Sequence, residues 1–338
     1  MKIFLTNLPS FYKVNLYNEL AQKMPILVVF SGIGGDDRNK DFFHGDMKFE
    51  SVMLKGGILK KIWSLFLILR RYSYNEFIIG GWENIVSLTA PFMSGKNRNA
   101  CIIESSAYES SGGGYKLWLK KQYMKRICRV YASGISQARL ARNLGFIYEI
   151  KLTGGCGLLN YVEQPAYEER QEVRNFLYVG RLAEEKNLKL LIRVFNKLQD
   201  LNLTIVGFGT QEKELKTLAS SSNNVKFVGA VNNKELPAYY RKADVFVLPS
   251  SSEPWGLVVE EALNNGCPVI VSDMVGCRES LVSDKIGLVF NHNSEEDLVS
   301  AIHKMKDKQF YNNLRKSIAQ LNFDVRANKQ VNTYICKQ

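Results

Sequence analysis

Short hydrophobic runs recur along the chain, and most are separated by a stretch long enough for one helix. In the first half these runs cover residues 3–5, 26–30, 49–54, 77–79, 100–103, 130–132 and 150–152. In the second half they cover residues 175–179, 203–206, 225–228, 245–248, 268–271 and 288–290. Strand-like runs that alternate with helix-length segments are typical of a parallel sheet wrapped by helices. The pattern therefore predicts an α/β protein with two doubly wound sheets.

A chain of 338 residues exceeds what one hydrophobic core usually organises, which favours two domains. The polar segment 163–172 contains Pro165 and has no apolar period, so it is interpreted as a linker. We expect an N-terminal domain at residues 1–171 and a C-terminal domain at residues 172–320. Helical spacing continues to the end of the chain, and residues 321–338 are expected to form a helix that packs back onto the first domain.

Composition and charge narrow the class of protein. With 46% hydrophobic and 23% charged residues, the chain is typical of a globular protein. Six scattered cysteines form no C-x-x-C pair, so we expect reduced, mostly buried thiols. Residues 1–165 carry 22 Lys and Arg against 12 Asp and Glu, whereas the rest carries 23 against 21. The first half thus favours an anionic partner, either nucleic acid or an anionic membrane surface.

The first motif with chemical content begins where the strand at residues 175–179 ends. Gly180 and Arg181 follow the strand, Lys186 comes shortly after, and Asn187 is placed to cap the next helix. The carboxyl edge of an open α/β sheet binds ligands, and a guanidinium with an ammonium suits a diphosphate. A solvated loop with two surface cations is the structural alternative.

A second strand runs through Gly207 and Gly209 into a helix. Glycines at these positions permit a tight turn and a close approach of backbone to a ligand. The segment is not a complete dinucleotide fingerprint, because Glu212 occupies the third glycine position. A purely structural turn between strand and helix stays open as an alternative.

The strongest motif joins the strand at residues 245–248 to a helix through a serine run and Glu253. Pro254 suits the first helical position, so the amides of Trp255, Gly256 and Leu257 are expected to form an anion-binding helix start.

Two glutamates in this motif, Glu253 and Glu261, stand eight residues apart. On a continuous helix this offset corresponds to about 12 Å, which exceeds the roughly 5 to 9.5 Å between the carboxylates of a glycoside hydrolase. The spacing favours two carboxylates that hold hydroxyls, one at a sugar and one at a ribose. Either residue could instead be an ordinary helix carboxylate, and Glu260 lies next to Glu261.

Taken in order, these motifs resemble those of the retaining glycosyltransferases of family 4, which have the GT-B fold. The resemblance covers about residues 175–290 and rests on Gly180-Arg181 with Lys186, Gly207-Phe-Gly209, Phe227-Val-Gly229, Glu253-Pro-Trp-Gly256, Glu261-Ala262 and Gly266-x-Pro268. It implies two Rossmann-like domains that face a central cleft. It also implies transfer of a sugar from a nucleoside-diphosphate donor, with UDP and GDP sugars expected first.

The resemblance assigns a role to each matched residue. Arg181 and Lys186 are expected to contact the donor diphosphate, and Glu253 the transferred sugar; these three form the expected catalytic set. Glu261, chosen over Glu260 by its alignment with the rest of the motif, is expected to hold the ribose. The expected donor-binding residues are Gly180, Gly207, Gly209, Val231, Trp255, Gly256, Leu257 and Glu261.

The acceptor side is less defined, because residues 6–12 stand where many family members have a glycine-rich loop. Glu104 directly follows a predicted strand and is the acceptor-side candidate, with a helix cap or a surface carboxylate as the alternative. The histidines at 44, 292 and 303 neighbour no recognisable triad.

The resemblance further implies retaining transfer, in which the leaving phosphate oxygen helps to deprotonate the acceptor, and the expected acceptor is a hydroxyl of a surface glycan or its lipid-linked precursor. No D-x-D triplet occurs, so we expect no metal and no cofactor, and cations with helix amides stabilise the departing diphosphate. A GT-B sugar-nucleotide epimerase and a basic nucleic-acid-binding module are the alternatives, although no nucleic acid partner is expected. An oxidoreductase is less favoured, because the dinucleotide fingerprint is incomplete.

Two stretches, residues 60–71 and 115–129, combine cationic and aromatic residues. In the second, Lys121, Lys125 and Arg129 are predicted to form one helical ridge. Two interpretations of these stretches remain open: core helices whose cationic faces are solvated, or helices that dock on an anionic membrane. The start of the chain lacks the features of a signal peptide. The expected location is therefore the cytoplasm, peripheral on the inner face of the membrane.

Overall fold

The computed structural model describes residues 1–32, 45–108 and 114–335. These residues divide into two compact units, of which unit 1 comprises Met1–Leu159 with the chain from Asp324, and unit 2 comprises Asn160–Phe323. Each unit is built on one parallel sheet with helices around it. The predicted fold class, two Rossmann-like α/β domains, is confirmed.

Thirteen strands and thirteen α-helices are described. The strands are β1 (Lys2–Thr6), β2 (Ile26–Phe30), β3 (Glu50–Met53), β4 (Glu76–Gly80), β5 (Asn99–Ile103), β6 (Arg129–Ala132), β7 (Glu149–Leu152), β8 (Asn175–Val179), β9 (Asn202–Val206), β10 (Val225–Gly229), β11 (Val245–Leu248), β12 (Val269–Ser272) and β13 (Gly287–Phe290). The helices are α1 (Phe11–Lys23), α2 (Ile58–Arg71), α3 (Ile85–Thr89), α4 (Tyr115–Met124), α5 (Ile135–Asn143), α6 (Leu188–Lys197), α7 (Glu212–Leu218), α8 (Leu236–Lys242), α9 (Leu257–Asn264), α10 (Arg278–Leu281), α11 (Glu295–Met305), α12 (Lys308–Ile318) and α13 (Phe323–Ile335).

The sheet of unit 1 has the strand order β3-β2-β1-β4-β5-β6-β7. Helices α2 to α5 cover one face, where Leu65, Val86 and Tyr123 join a core with the inward side chains of the strands. Helices α1 and α13 cover the other face. Tyr334 of α13 stacks on Tyr131 of β6, with ring centroids 4.6 Å apart. The C-terminal helix is therefore part of the unit 1 core.

The sheet of unit 2 has the strand order β10-β9-β8-β11-β12-β13. The chain moves outward from β8 through β9 to β10, and then returns to place β11 on the other side of β8. In open α/β sheets, the carboxyl ends of two strands that part in this way form the crevice where ligands bind. In unit 2 this point lies between the loops that follow β8 and β11.

The division between the units comes after Leu159, earlier than the boundary expected near Gln171. The polar segment that was interpreted as a linker is tied to unit 2. The amide of Val162 donates to the side chain of Asn264 (2.9 Å), and the amide of Arg170 donates to Asn312 (2.9 Å). A polar sequence without periodicity thus follows the surface of a domain through backbone hydrogen bonds.

The predicted helical ridge of Lys121, Lys125 and Arg129 is wrong. Helix α4 ends before Lys125, and Arg129 begins β6. Its guanidinium donates to the carboxylates of Glu149 (2.5 Å), at the beginning of the adjacent strand β7, and of Glu76 (2.6 Å), at the beginning of β4, two strands away. These ion pairs hold Arg129 at the start of β6. Because both partners are distant in sequence, the local pattern around Arg129 could not predict them.

Five cysteines are free thiols: Cys128 is half-buried, and Cys101, Cys156, Cys267 and Cys277 are buried. Cys336 and His44 lie outside the described residues. Across the ranges that the structure describes, every helix is too short or too polar to cross a bilayer.

Candidate functional site

The loops after β8 and β9 pack backbone against backbone. The amide of Gly180 donates to Val206, and that of Leu182 donates to Phe208, at 3.0 and 2.9 Å. A Cβ atom at Gly207 would lie 1.8 Å from the carbonyl oxygen of Gly180. Gly209 faces the backbone of Leu182 in the same way. The packing of the two loops is therefore enough to require these glycines, which supports the structural alternative without testing a role in ligand binding.

The loop after β8 places Lys186 beside Glu253, which follows β11. The Lys186 Nζ atom lies 2.5 Å from the Glu253 Oε2 atom, and each side chain is only 13% exposed. The amide of Ser251 donates to the carbonyl oxygen of Glu185 (2.8 Å) and holds the two loops together. An ammonium has three donors, so Lys186 can bind an anion while it keeps Glu253.

Arg181 lies on the same loop and pairs with Glu185, with 2.7 Å between its Nη2 atom and the carboxylate. Both side chains are more exposed than those of Lys186 and Glu253. The predicted diphosphate cations are thus each paired with a carboxylate. An incoming diphosphate would compete with Glu185 for Arg181, whereas it could share the ammonium of Lys186 with Glu253.

The helix start in the third motif differs from the prediction. Helix α9 begins at Leu257, and its N-cap is Gly256, in the left-handed region with φ 99° and ψ 60°. Pro254 lies before the helix, so its predicted position as the first helical residue is wrong. Glu253 instead forms a parallel bridge with Val275, because the loop after β12 pairs with this segment. The 12 Å estimate for Glu253 and Glu261 assumed one continuous helix and does not apply.

The adjacent carboxylates Glu260 and Glu261 have different surroundings. Glu260 is buried, and it accepts hydrogen bonds from the Trp255 indole (2.7 Å) and from the Tyr161 hydroxyl (3.1 Å). Glu261 is only partly buried, and its Oε2 atom accepts a hydrogen bond from the Tyr240 hydroxyl (2.9 Å). Glu260 fixes the buried Trp255 within unit 2, whereas Glu261 is partly buried and keeps a fraction of its surface exposed to solvent.

The pKa of Glu261 is raised to about 7. Burial disfavours its charge, the Tyr240 hydroxyl stabilises that charge, and the neighbouring Glu260 repels it. The carboxyl group therefore changes its charge near neutral pH.

The remaining predicted donor-binding residues lie at the same edge of the sheet. Val231 follows β10, and the glycines at 207 and 209 follow β9. The carboxyl ends of four adjacent strands, β10, β9, β8 and β11, thus carry the residues selected from the sequence. Glu261 lies within α9, which follows β11.

Glu104 lies in unit 1 at the carboxyl end of β5. Its carboxylate pairs with the buried Lys13 of α1. Burial lowers the pKa of Lys13, but Glu104 raises it, and the pKa lies well above its ordinary value. Glu104 also lines a small open cavity of about 30 Å³ with Gly80, Gly81, Trp82, Glu83, Ile102, Ile103 and Ser105.

Two polar contacts beside Lys186 were not predicted from the sequence. The Asn187 side chain does not cap α6; its amide donates to the carbonyl oxygen of His292 (2.9 Å). The His292 ring lies 2.7 Å from the Asp273 carboxylate. Asp273 and His292 follow β12 and β13, so only the strand order brings them near the loop after β8. Among the described residues, no cluster of His, Cys, Asp and Glu has a metal-ligand arrangement.

Residues 162–321 match the family described as glycosyl transferases group 1. The sulfoquinovosyl transferase SQD2 of Arabidopsis thaliana is 36% identical over 132 residues, which are 38% of this chain and 26% of that protein. The O-antigen biosynthesis glycosyltransferase WbnH of Escherichia coli is 33% identical over 154 residues, 46% of this chain and 43% of that protein. The chain thus spans less than half the length of these curated relatives.

Solved structures match over nearly the whole chain. The sucrose-phosphate synthase of Thermosynechococcus elongatus has a TM-score of 0.76 at 19% identity, covering 99% of this chain and 98% of that one. Anabaena HepE, solved with UDP and glucose, has a TM-score of 0.71 at 16% identity with the same coverage. At such identities the likeness shows the fold. The family match thus assigns residues 162–321 to a group 1 glycosyl transferase domain, and the structural likeness shows the GT-B fold.

Proposed function

We propose that this chain is a retaining glycosyltransferase, of the kind grouped in family 4, that moves a hexose from a nucleoside-diphosphate sugar to an acceptor hydroxyl. The acceptor belongs to a surface polysaccharide or to its lipid-linked precursor. The pair of Lys186 and Glu253 between β8 and β11 carries the proposal. In this pair, a cation that can bind a phosphate lies beside a carboxylate that can bind sugar hydroxyls, at the carboxyl ends of the strands where open α/β sheets bind ligands.

In the proposed reaction the bond from the anomeric carbon to the phosphate oxygen breaks, and a bond to the acceptor oxygen forms on the same face of the sugar. The acceptor proton passes to the departing phosphate oxygen, so the products are the glycoside and a nucleoside diphosphate. Negative charge accumulates on the diphosphate as the bond breaks, and the ammonium of Lys186 with the guanidinium of Arg181 stabilises it. No metal is assigned to this step, in line with the sequence-based expectation.

The donor and acceptor classes draw support from the similar proteins. HepE was solved with UDP and glucose, which favours a UDP sugar as the first donor to test, with GDP sugars next. WbnH is named for O-antigen biosynthesis, which favours a surface glycan as the product. Glu261, in the middle of α9, is proposed to hold the ribose hydroxyls, and the backbone around Val231 is proposed to contact the base.

The test is a two-stage measurement on the purified chain. Calorimetric titration with UDP, GDP, ADP and their sugars identifies the donor, and mass spectrometry with an acceptor glycan detects the transferred sugar. The anomeric configuration of the product, read by NMR, must equal that of the donor if transfer is retaining. An epimerised nucleotide sugar without a glycoside would favour the epimerase, and binding of none of these nucleotides would reject the proposal.

A further inference from the structure

Helices α2, α3 and α4 share one face of the unit 1 sheet. The buried side chains of all three belong to the same hydrophobic core, represented by Leu65 of α2, Val86 of α3 and Tyr123 of α4. Because their inner sides meet one sheet face, their outer sides form one surface of the unit. Large apolar side chains are exposed on each of the three helices and on the short turn that follows α3: Ile58, Leu59, Trp63, Leu67, Ile85, Phe92, Tyr115 and Trp118.

Helix α2 is apolar on both sides. Leu59, Trp63 and Leu67 are spaced by four residues, so they form a stripe on one side of the helix, and Leu59 is 84% exposed and Trp63 61% exposed. A helix of a globular protein normally directs a polar stripe to water. This outer stripe is therefore unusual for a helix whose inner side is already packed.

The outer surface also carries positive charge without acidic neighbours in sequence. Residues 51–75 and 110–148 contain no Asp or Glu, and they contain five and eight Lys and Arg respectively. Lys60, Arg70, Lys116 and Lys121 are exposed on α2 and α4. The exposed aromatic rings of Tyr115 and Trp118 stack on each other on α4, 6.4 Å apart. Aromatic rings, aliphatic side chains and cations are the groups that lie in the interface of an anionic bilayer.

We infer that the outer surface of α2, α3 and α4, here named the docking face, binds the surface of an anionic phospholipid bilayer. The stripe of Leu59, Trp63 and Leu67 enters the boundary between headgroups and acyl chains. The surrounding lysines and arginines contact lipid phosphates, and the cytoplasmic leaflet is the anionic surface of this kind in cells. The chain then meets a lipid-linked acceptor at the membrane; this role rests on the proposed function, whereas the binding itself does not.

The charge of the docking face favours a bilayer over a second copy of this chain as its binding partner. Two docking faces brought together would oppose cations to cations at close range, because the sequence segments that carry α2 and α4 lack acidic residues. An anionic bilayer supplies the missing negative charge over the whole face. Like-charge repulsion thus disfavours self-association through this surface.

The test is flotation of the full chain with vesicles of phosphatidylcholine alone or mixed with phosphatidylglycerol. The wild type is expected to float with the anionic vesicles at low salt and to remain at the bottom with the neutral ones. Partitioning of the variant Leu59→Gln/Trp63→Gln/Leu67→Gln is expected to fall at least about tenfold, because the inserted apolar area is lost. Its unfolding temperature reports that the fold is intact.

Each type of substitution on the docking face, apolar or cationic, has a control variant with the same change of side chain elsewhere on the chain. Val325→Gln removes an exposed apolar side chain from α13, which covers the opposite face of the same sheet, and partitioning should be unchanged. Lys60→Gln/Lys116→Gln/Lys121→Gln should weaken binding by about fivefold per cation. Lys213→Gln/Lys234→Gln/Lys242→Gln, which removes three exposed lysines of unit 2, should have little effect.

Insertion also has a spectroscopic signature. Lipids brominated on their acyl chains should quench tryptophan fluorescence of the bound chain, and Trp63→Phe should lose part of that quenching. Purely electrostatic adsorption would leave the fluorescence unchanged.

Three outcomes would overturn the inference: no flotation with anionic vesicles at low salt, unchanged partitioning of the apolar variant, or an equal loss in the Val325 control. A dimer in sedimentation that Trp63→Gln converts to a monomer, without any vesicle binding, would assign the face to self-association. Nucleotide titration of the same preparation distinguishes the two proposals. A chain that floats but binds no nucleotide would contradict only the proposed function, and the reverse would contradict only the docking face.

Discussion

At the scale of single residues, the cation expected to hold the donor phosphates is fixed before any donor binds. Lys186 and Glu253 are both mostly buried and 2.5 Å apart, so neither side chain needs to be ordered when the diphosphate arrives. Preorganised charge of this kind acts mainly on the transition state, where negative charge has developed on the leaving group.

The first prediction is that Lys186→Ala lowers the turnover number far more than it raises the donor KM. If Lys186 resembles one oxyanion-hole donor, the loss is about 10²- to 10³-fold, or about 2.7 to 4 kcal/mol. Steady-state kinetics at saturating acceptor measure it. Lys189→Ala is the control, since Lys189 forms an exposed pair with Glu214, and such pairs contribute about 0 to 1 kcal/mol. Near-normal turnover of Lys186→Ala would refute the assigned role.

Glu261 gives the second prediction, which concerns pH. If the carboxylate accepts the ribose hydroxyls, nucleotide binding requires its charged form, and its pKa is about 7. The donor KM should therefore fall as pH rises through about 7. One pH unit below the pKa, it should be about tenfold higher than its value at high pH, where the carboxylate is fully charged. Folding stability changes in the opposite sense. Because the pKa of Glu261 is higher in the folded chain than its ordinary value of 4.5, its contribution to the free energy of unfolding is fully present below pH 4.5. This contribution is lost as the pH rises through about 7.

The variants Glu261→Gln and Glu260→Gln distinguish the two adjacent carboxylates. Glu261→Gln should raise the donor KM and remove its pH dependence near 7. Glu260→Gln should mainly lower the unfolding temperature, because Glu260 accepts the hydrogen bonds of the Trp255 indole and the Tyr161 hydroxyl. If Glu260→Gln instead reproduces the binding defect, the ribose has been assigned to the wrong glutamate.

At the scale of elements, the loop between β8 and α6 depends on one unusual backbone conformation. Asn187 is the only described residue other than glycine with a positive φ, at φ 54° and ψ 35°. Its side-chain amide bonds to the carbonyl oxygen of His292, whose amide in turn donates to Asp273 (3.0 Å). The loop that presents Lys186 is thus tied to the loops after β12 and β13.

The third prediction follows from this conformation. Asn187→Gly should retain most activity, because glycine adopts the left-handed region without strain. Asn187→Val should lower stability by about 1 to 2 kcal/mol for the backbone and should raise the donor KM as Lys186 shifts. Thermal unfolding and donor kinetics are the measurements. Asn313→Val, at an exposed position of α12, is the control. Equal defects in the glycine and valine variants would show that the side-chain amide matters more than φ.

The sequence was sufficient to predict the strands, because a buried strand appears as a local run of apolar residues. It predicted helix ends less well. The end of α4 and the start of α9 depend on partners distant in sequence: Glu76 for Arg129, and Val275 for Glu253. The pairing of Lys186 with Glu253 also depends on topology, since β11 lies beside β8 only after the chain has formed β9 and β10. Motif resemblance selected these residues, but it could not reveal that each expected cation is already paired.

At the scale of the whole molecule, unit 2 holds every residue assigned to the donor. It also contains the segment 160–171, which the sequence alone had placed in the first domain. Tyr161 donates to Glu260, the amide of Val162 to Asn264, and the amide of Arg170 to Asn312. These contacts make the segment a structural part of the donor-binding unit rather than a free tether.

The last prediction compares two fragments, residues 160–323 and residues 172–320. Both contain the donor motifs, but the shorter fragment loses the hydrogen bonds of Tyr161, Val162 and Arg170, each worth about 1 kcal/mol. Loss of the Tyr161 hydroxyl also leaves buried Glu260 with one partner fewer. We therefore expect the longer fragment to unfold at a higher urea concentration and to bind the donor's nucleoside diphosphate. Neither fragment should transfer sugar, since both lack Glu104 and the cavity that it lines. Equal urea midpoints would contradict the structural role of residues 160–171. A folded longer fragment that binds no nucleoside diphosphate would mean that essential donor contacts come from unit 1, because every other donor residue assigned here is present in it.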